Sequence, residues 1–138
     1  MKEDILFLNL NNEEAECYVE HKTNFFETRE NNIAKLNTMK EWKKHAELEK
    51  EFFELLLVKS ENDSDFDKYR EKIETGLKKL DEQIKTSEEV IDKVQNIVNN
   101  LDYVIDTYFT EEITEEGAIV NETAKKYIEI SKNLISVQ

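Results

Sequence analysis

FDKYREKIETGLKKLDEQIKTSEEVIDKVQNIVNNLDYVIDTY, residues 66–108, is the stretch that decides the fold. Phe66, Ile73, Leu77, Leu80, Ile84, Ile91, Val94, Val98, Leu101, Ile105 and Tyr108 recur at alternating spacings of three and four, interrupted only by Arg70 and Ser87. A mean step near 3.5 residues lines these side chains along one face of a long α-helix. That face is stable only when buried against other helices.

Working outward, the chain has no proline and only two glycines, Gly76 and Gly117. Folds built on many tight turns use both residue types for their φ angles, so an all-α fold is expected. At 138 residues the chain is long enough for one domain with its own core. Asn11 and Asn12 precede Glu13 and Glu14, a helix start with acids in its first turn. Helix-compatible sequence then runs from 12 to 59. Its apolar positions, from Ala15 and Tyr18 through Leu36 and Trp42 to Leu57, drift from any single heptad register. Asn31 and Asn32 are the place where this helix would break. Ser60–Asp65 reads as a loop, with Ser64 and Asp67 resembling a capping box. The second helix is expected over 65–110, a connector over 111–117 and a third helix over 118–137, with Val120, Ala124, Tyr127, Ile128, Leu134 and Ile135 on its buried face. Residues 1–10 are expected to be extended. Ile5–Leu10 is the strand candidate there, either lying across the end of the bundle or pairing with another chain.

Two helices of about 45 residues joined by a short loop must lie antiparallel, each about 65 Å long. The expected fold is an elongated antiparallel helical hairpin with a shorter third helix, in one domain. A compact four-helix bundle is the alternative if the first helix breaks near residue 31. The third helix spans only about 30 Å and covers half of such a hairpin. That leaves the apolar run Phe52, Phe53, Leu55, Leu56, Leu57 and Val58 at the far end with too little to pack against.

Charge is the second signal. The net charge is −13. Residues 1–20 hold six acids and one lysine, and residues 94–124 hold seven acids and no base. An antiparallel hairpin brings these segments together as one acidic pole. The partner-binding candidates there are Glu13, Glu16, Glu20, Asp102, Asp106, Glu111, Glu112, Glu115 and Glu116.

No catalytic constellation is visible, so an enzyme is not expected. Cys17 and His21 share a helix face but supply only two of the three or four ligands zinc takes. His45 sits between Glu41 and Glu49 as a charged helix face. Neither histidine has a Glu three residues before it, as di-iron bundles require. No phosphate-binding glycine loop is present. Neither a cofactor nor a metal is expected. The lysines around Trp42 read as a solvated face with the indole in the core, and the net charge repels nucleic-acid phosphates. Neither direct nucleic-acid binding nor a membrane span is expected. With one cysteine and an acidic first segment unlike a signal peptide, a soluble cytoplasmic protein is the reading. Tyr108 and Glu112 form a Tyr-x-x-x-Glu pattern that loosely resembles the export signal of type VII secretion hairpin proteins. Those families carry Trp-x-Gly between their helices, which Ser60–Asp65 lacks, so the family is not assigned.

The leading expectation is a non-enzymatic acidic adaptor or inhibitor that binds a basic protein surface through the pole, in its sharpest form a nucleic-acid mimic such as a phage-encoded inhibitor of a host nuclease. The alternatives are a chaperone or secretion partner that holds an amphipathic helix against Phe52, Phe53, Leu56 and Leu57, or a homodimeric coiled-coil scaffold.

Overall fold

The computed structural model describes residues 6–61 and 64–137. The side chains of residues 60, 64, 66 and 135–137 fall outside that description, and with them the cap expected at Ser64 and the core roles expected of Phe66 and Ile135. The chain is all-α in class, with two long helices that pack closely and a shorter third. Helix α1 spans Asn12–Glu61, α2 Arg70–Tyr108 and α3 Glu122–Val137. A 3-10 helix, Ser64–Tyr69, precedes α2, so the second α-helix begins five residues later than the sequence suggests.

Helix α1 passes through Asn31 and Asn32 without a break. The compact bundle needed that break and is not adopted. Helix α1 opens on a reciprocal cap. The Glu14 amide donates to Asn11 Oδ1 at 2.8 Å, and the Asn11 amide donates to Glu14 Oε1 at 2.9 Å.

The contacts divide the chain into two compact units, 1–31 with 98–138, and 32–97. In the second unit, α1 and α2 segments pack antiparallel, and α3 takes no part. Among the described residues, Leu36, Ala46, Ile73, Leu80 and Val94 are its buried apolar side chains. In the first unit Tyr18, Phe109, Val120, Ala124 and Ile128 form a buried cluster. The rings of Phe7 and Phe109 lie 5.5 and 5.6 Å from that of Tyr18.

The α1 seam does not drift. Tyr18, Lys22, Phe25 and Arg29 in the first unit, and Asn32, Leu36, Met39, Lys43, Ala46, Lys50, Phe53 and Leu57 in the second, follow the same three-four spacing, and every one is buried or half-buried. Four of these positions hold cations, and each cation meets an acid. Lys43 pairs with Glu88 at 3.4 Å, Lys50 with Asp81 at 2.8 Å, and Arg29 with Asp102. Lys22 Nζ donates to both Glu111 carboxylate oxygens at 2.8 Å. Long aliphatic stems let lysine and arginine cover apolar surface while their heads reach a carboxylate. Core positions in α1 therefore read as polar.

Residues 111–120 are not a plain connector. Strands β1, Glu111–Ile113, and β2, Ala118–Val120, pair antiparallel with Ile113 opposite Ala118. The N-terminal segment supplies a third edge: Phe7 bridges Ala118 in parallel sense. The Ala118 amide donates to the Leu6 carbonyl, and the Leu8 amide to the Ala118 carbonyl, both at 2.8 Å. Asn9 extends the edge with its side chain, donating to the Val120 carbonyl at 2.8 Å and accepting from the Val120 amide at 3.0 Å. Ile5 lies outside the described residues; of the expected strand, Leu6 to Asn9 make these contacts within the chain, with Phe7 as the bridging residue. Helix α3 starts later than expected because Ala118–Val120 is β, and Asn121 caps it through the Thr123 amide at 2.8 Å. Its buried face is Ala124 and Ile128; Tyr127 and Leu134, expected there, are exposed.

Candidate functional site: an acidic face on the first unit

All nine acidic candidates fall in the first unit. By sequence count that unit holds sixteen acids against six bases, so it carries −10 of the net −13. The two acidic segments meet there because 12–31 of α1 and 98–108 of α2 belong to one unit.

The structure sorts the nine into two groups. Asp102 and Glu111 neutralise the seam cations Arg29 and Lys22, and the Glu111 side chain is only 13% exposed. Glu13 pairs with Lys132 at 2.7 Å, and that ammonium holds the Glu13 carboxyl below its usual range. These three are engaged in ion pairs within the unit. Glu16, Glu20, Asp106, Glu112, Glu115 and Glu116 are exposed and make no ion pair among the described residues. They come from three elements: α1, the end of α2, and the β1–β2 hairpin.

The hairpin turn sets the last two of these. Thr114 closes it: its hydroxyl donates to the Gly117 carbonyl at 2.9 Å and its amide to the same oxygen at 2.8 Å. Gly117 has φ +155°, and a Cβ there would lie 2.5 Å from the Leu6 carbonyl oxygen. Only glycine permits this approach without strain. Glu115 and Glu116 are thus held at a fixed, exposed turn. The Tyr-x-x-x-Glu pattern is split, since Tyr108 ends α2 and Glu112 lies in β1.

Comparison with protein-family models, with curated proteins and with solved structures returned no match.

Burial, then the Glu20 carboxylate, push the Cys17 thiol upward, opposite to the shift an attacking thiolate needs. His21 Nδ1 lies 3.4 Å from the Tyr127 hydroxyl, with the two rings edge to face. His45 is well exposed and lies 3.9 Å from Glu49. Among the described residues no three His, Cys, Asp or Glu side chains converge as a metal site. No helix among them is long and apolar enough to cross a membrane.

In the second unit, Trp42 is 64% exposed and not in the core. Trp42 falls between the seam positions Met39, Lys43 and Ala46, so its side chain is not on the packed face of α1. Trp42 instead lines an open groove of about 1010 Å³ with Met39, His45, Ala46, Gln83 and Ser87. The apolar candidates split by face. Phe53, Leu56 and Leu57 are half-buried, and the Phe53 ring lies over Gly76; Phe52 is exposed, as are Leu55 and Val58.

Proposed function

We propose that this chain is a non-enzymatic interaction protein that binds a basic protein surface through the acidic face of its first unit. One observation carries the reading. After internal ion pairs are counted, six acids on three different elements remain exposed and without an ion pair among the described residues, in a unit of net −10 by sequence. Scattered solubilising charge needs no such concentration. A field of this sign steers a basic partner and raises its association rate. Carboxylates on rigid helices and a pinned turn also suit a cleft built for nucleic-acid phosphates, so the preferred partner is a nucleic-acid-binding protein whose site this face occupies. The upward shift of Cys17 supports the non-enzymatic part of the reading.

The test reverses Glu16, Asp106, Glu112 and Glu115 to Lys together and leaves Asp102 and Glu111 to hold the fold. Partner capture should be lost while helix content stays that of the parent. Capture equal to the parent's refutes the reading.

A further inference from the structure

The outer face of α1 in the second unit carries a line of exposed residues that belongs to neither the seam nor the acidic face. Glu41, His45, Leu48, Phe52, Leu55 and Lys59 follow one another at spacings of four, three, four, three and four. All six are exposed, with Leu48 at 57%, Phe52 at 62% and Leu55 at 70%. Helical side chains at these spacings form a single stripe, and such a stripe is a packing surface when apolar at its centre. A helix with one apolar stripe in its hairpin and a second facing solvent lacks a partner on that second face.

The order of residues identifies the occupant. The stripe is acidic at one end, at Glu41, and basic at the other, at Lys59, with its apolar residues between. Neither charge makes an ion pair among the described residues. Laid antiparallel on a copy of itself about a two-fold axis midway between Leu48 and Phe52, the stripe sets Leu48 against Phe52, His45 against Leu55 and Glu41 against Lys59. Each contact occurs twice, as an isologous interface requires. Glu49 and Glu51 flank the axis and oppose their own copies, which keeps the association modest. By sequence count the second unit carries only −3, so two copies meeting through it oppose little net charge.

We infer that the chain forms an antiparallel homodimer through the Leu48–Phe52–Leu55 stripe of α1, with Glu41 of each copy facing Lys59 of the other. This surface is separate from the acidic face, so either reading can fail alone.

The test is sedimentation equilibrium over a wide concentration range, with circular dichroism to confirm folding. The parent should show a monomer–dimer equilibrium. Phe52→Ser, at an exposed site that the hairpin does not need, should raise the dissociation constant about tenfold or more. Glu41→Lys and Lys59→Glu should each weaken the dimer several-fold, and the double swap should restore it. A strict monomer overturns the inference, as does a dimer indifferent to Phe52→Ser or charge swaps that fail to compensate. A monomer that instead binds an added amphipathic peptide at Phe52 also overturns it and assigns the stripe to a foreign helix.

Discussion

Substituting alanine at the two glycines should move stability in opposite directions. At Gly117 a Cβ would sit 2.5 Å from the Leu6 carbonyl oxygen and 3.2 Å from two carbons of Leu8, on a backbone with φ +155°. If the backbone stays, strain at a φ foreign to L-residues costs about 1–3 kcal/mol. The steric overlap adds roughly 1–3 kcal/mol. If the N-terminal segment swings away instead, it gives up the two backbone hydrogen bonds at Ala118, about 1 kcal/mol each. It also takes Phe7 off the Tyr18 ring, at roughly 1–2 kcal/mol for a half-buried phenylalanine. The first route comes to about 2–6 kcal/mol and the second to about 3–4 kcal/mol, so the cheaper of the two sets a cost of about 2–4 kcal/mol. At Gly76 a Cβ would lie 3.7–4.0 Å from the Phe53 ring, an ordinary contact inside a helix. There alanine should stabilise by about 1 kcal/mol. Urea unfolding of both variants measures the contrast, and hydrogen exchange at the Leu8 and Ala118 amides separates the two routes. A Gly117→Ala loss below about 0.5 kcal/mol, within the range of ordinary surface substitutions, would mean that the N-terminal edge is not docked as described.

Three further outcomes follow from the first unit. Lys22→Met leaves the mostly buried Glu111 carboxylate without its cation and should cost about 2 kcal/mol in urea unfolding, whereas Lys22→Met with Glu111→Gln should recover much of the loss. Burial, then the Glu111 carboxylate, push the Tyr18 phenol well up, and its hydroxyl makes no hydrogen bond of normal geometry. A folded-state value above the unfolded one means the contribution is intact below pH 10 and is lost as pH rises beyond it. Tyr18→Phe should therefore flatten the alkaline fall in stability at no cost near neutrality. The raised Cys17 thiol should react with a disulfide reagent at pH 8 more slowly in the folded chain than in urea, and equal rates would contradict its burial.

The α2 seam was legible because its core positions are nearly all apolar. The matching α1 seam was not, because Lys22, Arg29, Lys43 and Lys50 occupy it, and only their partners on other elements make them core residues. Hydropathy reads one strand of a pairing at a time and cannot see a neutralising carboxylate across it. The same blindness overstated the acidic pole, since Asp102 and Glu111 are the other halves of those pairs. The β1–β2 hairpin was hidden by its short strands and the acids of β1. Two signals were present, the apolar run Ala118–Val120 and the Thr114–Gly117 turn, yet a run of three also fits the start of a helix. Residue type alone places Trp42 in the core, but the seam runs through Met39, Lys43 and Ala46 and leaves position 42 outside it.

The acidic face is tested most directly by immobilising the folded protein, capturing its partner from lysate at low and high salt, and identifying what is held by mass spectrometry. Screening shortens from about 10 Å at 0.1 M salt to about 3 Å at 1 M. A basic nucleic-acid-binding protein should be held at the lower ionic strength, released at the higher, and displaced by its own nucleic acid. Capture of the same protein at both ionic strengths, undisturbed by nucleic acid, would contradict the account.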